Sequence, residues 1–205
     1  MQKLVIATKN QGKIGELREF LSDLPVELLS LVDLGITDDV DEDGDSYTKN
    51  SQKKAVFYAK KSNLPVVADD SGLEIVALDG APGIRSRRWV GEHATDDDLV
   101  AKMVQLSQEL PEDNRQAFFK AVVSFALPTG AVWSVPGEVE GIIAEKPHLK
   151  LIKGYPYRSF FFLPTINKYY HESELTPEEQ IHFNHRYIAI QKLKPLLIKH
   201  LSLSA

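Results

Sequence analysis

Residues 3–13 read KLVIATKNQGK, and this stretch sets the class of fold. Residues 3–7 form a short apolar run rich in branched side chains, which predicts a buried strand. A polar loop containing Gly12 follows, and the apolar residues between positions 14 and 21 then recur at helical spacing. Strand, loop and helix in this order are typical of α/β proteins, which bind ligands at the carboxyl ends of their strands.

The remaining chain continues this pattern without an internal repeat or a linker, so we expect a single domain over residues 1–205. Asp69 should mark the end of the strand that begins at Leu64, and Pro195 should kink or restart the last helix. The other predicted strands cover residues 26–32, 64–68, 117–127, 131–135 and 137–144, and the predicted helices cover residues 46–61, 186–200 and the segments after Thr95 and Thr176.

The composition is that of a globular protein, with 43% hydrophobic and 26% charged residues. Cys is absent, which excludes a disulfide framework, thiolate metal sites and a cysteine nucleophile. The net charge of −5 comes from one segment, residues 38–45 (DDVDEDGD), which carries six carboxylates and is called the acidic loop below. Without the acidic loop the net charge would be +1, so we expect no binding surface for nucleic-acid polymers.

The first residues predict no targeting or membrane segment. Their apolar run is too short for a signal peptide, and no small-residue cleavage site follows it. No apolar run approaches the ~20 residues of a membrane helix. We therefore expect a cytoplasmic protein without a membrane partner.

Two loops carry residues suited to phosphate chemistry. In Thr8-x-Asn10-x-x-Lys13, backbone N–H groups at a helix start favour anions and Lys13 adds a positive charge, although an ordinary capping loop is the alternative. Asp69 and Asp70 follow a buried strand, where two adjacent carboxylates are costly unless they are solvated, hydrogen-bonded or bound to a metal such as Mg²⁺. The alternative there is a turn in which an Asp caps the next segment.

Three further patterns are less specific. The acidic loop matches the first positions of a calcium-binding loop, but Asn50 stands where a bidentate Glu is required, so a solvated loop is favoured. His185 and Arg186 could grip a phosphate or a base edge, or could simply start a surface helix. The basic run at residues 85–89 could contact nucleic acid, but a salt-bridged surface or a subunit contact is the more usual role.

The order of these motifs resembles the inosine triphosphate pyrophosphatase family. The resemblance rests on T-x-N-x-x-K at residues 8–13, ADDSGL at 68–73, L-x-G-A-P-G-I at 78–84 and His185-Arg186, and it covers essentially the whole chain. It implies an α/β fold with an elongated mixed β-sheet flanked by helices, in two lobes around a central cleft. It also implies a homodimer that uses Mg²⁺ to hydrolyse ITP, dITP or XTP to the monophosphate and pyrophosphate.

The resemblance also assigns roles by position. Asp70 would be the catalytic acceptor with Asp69 supporting it, and Glu42 and Asp70 would bind Mg²⁺. The implied substrate-binding residues are Thr8, Lys9, Asn10, Gln11, Gly12, Lys13, Ser71, Tyr155, Tyr157, Arg158, Gln180, His185 and Arg186.

Three positions depart from the family pattern. Lys49 replaces a Glu, Arg158 replaces an Asp, and Gln180 replaces a Lys. Two alternatives to the family activity therefore stay open, because a fold does not fix a function. One is a catalytically weak paralogue that binds a nucleotide, and the other is an active pyrophosphatase with shifted base specificity.

Overall fold

The computed structural model describes residues 1–203. The seven strands are β1 Gln2–Ile6, β2 Val26–Ser30, β3 Val66–Ile75, β4 Gln116–Ala126, β5 Val132–Ile143, β6 Phe161–Leu163 and β7 Lys168–Tyr169. The five α-helices are α1 Gln11–Phe20, α2 Tyr47–Ser62, α3 Asp96–Glu109, α4 Pro177–His182 and α5 His185–His200. The predicted strand–loop–helix start of the chain is confirmed.

The strands form one mixed sheet in the order β2-β1-β3-β4-β5-β6-β7. β1 lies parallel to both β2 and β3, whereas β6 lies antiparallel to both β5 and β7. The predicted α/β class with a mixed sheet is therefore confirmed.

The chain divides into two compact units. The first unit comprises Met1–Asp70, Ala121–Gly137 and the chain from Arg186 onward, and the second comprises Ser71–Lys120 and Glu138–His185. The unit boundary falls within β3 and β5 and between Lys120 and Ala121 of β4. The predicted cleft between two lobes stays a prediction.

The first unit buries both faces of its part of the sheet. Leu4, Ile6 and Val67 point to one face and pack with apolar residues of α1 and α5. Val5 and Ala68, which alternate with them, point to the other face and pack with α2. Because successive strand residues point to opposite faces, the nearly continuous apolar runs of β1 and β3 are what a sheet covered on both sides requires.

Local capping explains where two of the helices of the second unit begin. Thr95 and Thr176 each accept a hydrogen bond from the backbone N–H three residues on, and the acidic residue at that position bonds back to the N-cap N–H. These two capping boxes satisfy backbone donors that have no partner inside the helix. The helix starts predicted at both threonines are confirmed.

Two predicted strand boundaries are wrong. β3 continues through Asp69 and Asp70 to Ile75, because these carboxylates find buried cationic partners and do not have to leave the sheet. Residues 131–135 and 137–144 were predicted as two strands but form the single strand β5, with Pro136 and Gly137 inside it. The predicted bounds of α5 are confirmed, and the helix continues through Pro195 without the restart that the proline could have caused, while a kink there stays a prediction.

Within residues 1–203, none of the helices combines the length and the apolar character that crossing a membrane requires.

Candidate active site

The alternation of β3 sends its two adjacent carboxylates to opposite faces of the sheet. Asp69 follows Val67 toward the side covered by α1 and α5, and Asp70 follows Ala68 toward the side covered by α2. Both residues are buried, with relative exposures of 1% and 5%. Each carboxylate therefore has its own set of partners in the first unit.

Asp69 is held by two cations. Its Oδ2 atom lies 3.0 Å from the Nζ of Lys13 on α1 and 2.9 Å from the Nε of Arg186 on α5. Arg186, only 2% exposed, also pairs through NH1 with Glu16, one turn beyond Lys13 on α1. The network of ion pairs formed by Lys13, Asp69, Arg186 and Glu16 therefore connects α1, β3 and α5.

These ion pairs also shift the pKa values of Asp69 and Lys13. Burial by itself would raise the pKa of Asp69, but Lys13 and Arg186 hold it far below its usual range. Burial lowers the pKa of Lys13, and Asp69 opposes that shift. Asp69 therefore stays ionised at a lower pH than an ordinary aspartate, which suits a supporting role better than that of a proton acceptor.

Asp70 shares its partners with the acidic loop. The amide of Asn50 donates to Asp70 Oδ2 at 3.1 Å and accepts from the N–H of Gly44 at 2.8 Å. The Nζ of Lys54, one turn further along α2, lies 3.0 Å from Glu42 Oε1 and 3.8 Å from Asp70 Oδ1. Lys54 thus faces the carboxylates of both Glu42 and Asp70, and Asn50 links Asp70 to Gly44 of the acidic loop.

The charges around Asp70 and Lys54 affect their proton equilibria. Burial and the Glu42 carboxylate raise the pKa of Asp70 above its ordinary value, against the effect of Lys54. Burial would lower the pKa of Lys54, but Asp70 and Glu42 outweigh it and raise the pKa. Asp70 is thus the more easily protonated of the two adjacent aspartates.

The carboxylates of Glu42 and Asp70 fit a magnesium ion. Both already face one cation, the Lys54 ammonium, and carboxylate oxygens are the ligands Mg²⁺ prefers. In the described part of the chain no group of three or more His, Cys, Asp or Glu side chains is arranged around a metal position. Mg²⁺ usually takes only one or two protein carboxylates, with waters and substrate phosphates as its other ligands.

The acidic loop is exposed, and its aspartates pair with lysines. Asp43 pairs with Lys53 and Asp45 with Lys49, both on α2. Asp38 pairs with Lys61 of α2, and Asp39 with Lys9 of the first loop. The expectation of a solvated acidic loop is confirmed, since these aspartates are exposed, and the structure adds that four of them have lysine partners.

The phosphate-binding loop predicted at residues 8–13 joins β1 to α1. The Asn10 side chain caps α1 by accepting from the Lys13 N–H at 3.2 Å, and Thr8 Oγ1 accepts from the Asn10 N–H at 3.2 Å. Gln11 and Gly12 are the first two residues of the helix, where N–H groups lack intrahelical acceptors. The loop combines an anion-favouring helix start with the Lys13 ammonium.

Apart from Arg186, which lies in the first unit, the predicted base-contacting residues belong to the second unit, where aromatic rings are frequent. The guanidinium of Arg158 lies 3.8 Å from the ring centroid of Tyr155 and 4.7 Å from that of Tyr170. The His185 ring stacks on Phe119, with centroids 5.2 Å apart. These residues form a cluster of stacked planar groups.

Three other predicted residues of this unit have local partners. The Tyr157 hydroxyl donates to the Ser86 carbonyl, and burial raises its pKa. The Gln180 amide donates to the Leu175 carbonyl at 3.1 Å. Ser71 is half-buried on β3, next in the chain to Asp70.

The structure places some predicted site residues beside other partners than expected, and it adds three residues to the site. It brings Lys13 and Arg186 to Asp69, although the sequence predicted a base contact for Arg186, and that contact stays a prediction. Sequence reasoning missed Glu16, Asn50 and Lys54. Helical spacing could have marked Glu16, which lies three residues after Lys13. No local signal marks Asn50 or Lys54, because their partner Asp70 lies on another element, β3.

Comparison with known proteins places the chain in a family. The model of the Ham1 family matches residues 4–196. The dITP/XTP pyrophosphatase of Thermoanaerobacter sp. (strain X514) is 37% identical over 199 residues, covering 97% of this chain and 98% of that protein. The dITP/XTP pyrophosphatase of Shigella flexneri is 39% identical over 197 residues, covering 94% and 96%.

Solved structures agree with this placement. The structure of a HAM1 protein from Coxiella burnetii superimposes with a TM-score of 0.83 at 32% identity, covering 97% of this chain and all of that one. Sequence similarity and fold lead to the same assignment: the chain belongs to the Ham1 family.

Proposed function

We propose that this protein hydrolyses purine nucleoside triphosphates whose bases are not adenine or guanine, namely dITP, XTP and ITP. The products are the nucleoside monophosphate and pyrophosphate. The relatives named dITP/XTP pyrophosphatase support the substrate class. The observation that carries the chemistry is the pair of buried carboxylates of Asp69 and Asp70, each held by its own cations.

In the proposed reaction, water attacks the α-phosphorus. The bond from that phosphorus to the bridging oxygen breaks, pyrophosphate leaves with the bonding electrons, and the water proton passes to a base. When bound by Glu42 and Asp70, Mg²⁺ would supply positive charge against the phosphates and lower the pKa of water.

The residues of the first unit divide the remaining work. Asp70 orients the water and accepts its proton, a role supported by the raised pKa of its carboxyl. Lys13 and the backbone N–H groups of Gln11 and Gly12 bind phosphate oxygens and offset their developing charge. Asp69 supports them by fixing the Lys13 ammonium at 3.0 Å.

We assign choice of the base to the second unit. Hypoxanthine and xanthine carry a carbonyl acceptor at position 6, where adenine carries an amine donor. A hydrogen-bond donor such as the His185 ring suits the carbonyl and is left unpaired against adenine, which costs ~1–3 kcal/mol. Tyr155, Tyr157, Arg158 and Gln180 complete the proposed base-binding set.

The stacking of Arg158 favours a second candidate, an enzyme with shifted base choice. Related proteins are expected to carry an Asp at position 158. Here the Arg158 guanidinium lies against Tyr155, and its positive charge favours a more anionic base. Xanthine is more acidic than hypoxanthine, so this candidate predicts XTP as the preferred substrate.

The proposal extends to the setting of the enzyme. We propose that it acts as a cytoplasmic homodimer on the free nucleotide pool, without nucleic-acid or membrane partners. The exposed Val90, next to Trp89 and the basic run at residues 85–88, is a candidate subunit contact. Light scattering coupled to size exclusion tests this, and a monomer at micromolar concentration contradicts it.

The direct test of function is pyrophosphate release from XTP, ITP, dITP, ATP and GTP, each with and without MgCl₂. We expect rapid release from the first three, little from ATP, and none without divalent metal. Guanine also carries a carbonyl at position 6, so the rate on GTP shows whether the enzyme reads another group of the base. Equal rates on ITP and ATP contradict the substrate class. Nucleotide binding in calorimetry without any turnover supports the weak paralogue instead.

A further inference from the structure

Lys54 occupies a position in the first unit that the proposed function does not yet use. Its side chain is 11% exposed, and its Nζ lies 3.0 Å from Glu42 Oε1 and 3.8 Å from Asp70 Oδ1. A single buried ammonium thus faces the same two carboxylates that we assign to Mg²⁺.

The neighbouring lysines of α2 behave differently. Lys49 and Lys53 each pair with one exposed aspartate of the acidic loop, at 2.7 and 2.6 Å. Solvent and salt screen such exposed pairs, which contribute little to binding energies. Lys54 is instead buried with Asp70 and Asn50. Adding or removing a charge there changes the electrostatic energy more than at an exposed site, because water screens it less.

We propose that Lys54 is a built-in competitor of the divalent metal, which holds Glu42 and Asp70 in place until the metal displaces its ammonium. This inference rests on the proposed function, because it takes Glu42 and Asp70 as the metal ligands. The Lys54 ammonium and Mg²⁺ are both cations stabilised by the charge of these two carboxylates, so a bound metal repels the ammonium and favours its withdrawal.

The withdrawn ammonium needs a new anionic partner, and a triphosphate brought with the metal supplies one. Metal alone leaves Lys54 buried beside a divalent cation, which is unfavourable, whereas metal with a polyphosphate satisfies both charges. Lys54 therefore weakens binding of the metal alone and strengthens binding of the metal–polyphosphate pair. This exchange makes the site selective for the complete substrate complex over free metal.

The test is calorimetric titration of the nucleotide-free protein with MgCl₂. We expect the Lys54→Met variant to bind Mg²⁺ about tenfold or more tightly than the unaltered protein, because a competing charge about 4 Å away is removed. Lys53→Met is the matched control, with the same loss of charge at the next residue, and should change the affinity less than about threefold. Unchanged or weaker binding to Lys54→Met overturns the proposal.

A second titration, with inorganic tripolyphosphate at saturating MgCl₂, should show the opposite sign. Lys54→Met should bind tripolyphosphate more weakly than the unaltered protein by about tenfold, whereas equal or tighter binding contradicts the exchange. If Lys54→Met does not fold, Lys54→Gln is titrated in the same way. Its melting temperature should rise more with added MgCl₂ than that of the unaltered protein, and an equal or smaller rise overturns the proposal.

These results separate the inference from the function on which it rests. Pyrophosphate release from XTP by the unaltered protein tests the function alone. Release together with an unchanged Mg²⁺ affinity of Lys54→Met rejects the competitor role and leaves the function standing. Tighter metal binding by Lys54→Met without release by the unaltered protein supports the competitor role and rejects the proposed chemistry.

Discussion

The two units differ in the kind of chemistry that they bury. The first unit buries charge: the carboxylates of Asp69 and Asp70 lie in the middle of the sheet, each beside its own cations. The second unit gathers planar groups, with Arg158 stacked on Tyr155 and the His185 ring stacked on Phe119. Buried charges suit the binding of phosphate and metal, and stacked planar groups suit the binding of a nucleobase. We therefore assign the rate of hydrolysis to the first unit and the choice of base to the second.

The largest expected effect is on rate and comes from the first unit. Asp70→Asn removes the proposed proton acceptor and a metal ligand, so kcat for XTP should fall by about 10²- to 10⁴-fold. Asp45→Asn, which removes an exposed carboxylate of the acidic loop, is the control and should retain most of the rate. An Asp70→Asn variant with full activity breaks the assignment of catalysis to this unit.

The next effect is on stability and tests whether the first unit depends on its buried ion pairs. Arg186→Met leaves the carboxylates of Asp69 and Glu16 without this cation, so the free energy of unfolding should fall by about 3–5 kcal/mol. Arg18→Met breaks an exposed pair with Asp33 and should cost less than about 1 kcal/mol. Urea titration measures both, and equal small losses would show that Arg186 contributes no more than a surface residue.

Selectivity should respond to the second unit. His185→Ala removes a proposed donor to the base carbonyl, so the preference for ITP over ATP should fall by about 1–3 kcal/mol. The exposed His182 on α4 provides the control, and His182→Ala should leave the preference unchanged. Ratios of kcat/KM for the two nucleotides measure the effect. A lower rate on both substrates with an unchanged preference would show that His185 does not recognise the base.

The smallest effect concerns Lys49, where the family pattern has a Glu. Lys49 is 63% exposed and pairs with Asp45, so Lys49→Glu should change the free energy of unfolding by less than about 0.5 kcal/mol. The Mg²⁺ concentration for half-maximal activity should stay the same, since the pairs at Glu42 and Asp70 involve Lys54. Metal titration of activity checks this, and a large shift would show that the replacement at Lys49 alters the metal site.

Sequence reasoning went furthest where chemistry and secondary structure share one short segment. The loop between β1 and α1 and the two carboxylates of β3 were predicted because motif and strand pattern coincide there. The partners of these carboxylates that come from distant segments of the sequence could not be predicted in this way. Arg186 lies 117 residues from Asp69 in the chain, and only the fold brings the two within 2.9 Å.

The same limit explains the wrong end of β3. From sequence, two adjacent carboxylates appear too costly for a strand interior. The cations that compensate them come from α1, α2 and α5, and they became visible only when these helices were placed. A local pattern predicts the cost of burying a charge but not the partner that offsets it.

The division of labour between the units is tested most directly by the selectivity of Lys13→Met. This variant removes the ammonium beside Asp69 in the first unit, and kcat/KM is measured for ITP and for ATP. The account predicts that both values fall together, by about 10²-fold or more, while their ratio stays within about twofold of the original. A ratio that collapses toward one would contradict it, because the phosphate-binding unit would then also be choosing the base.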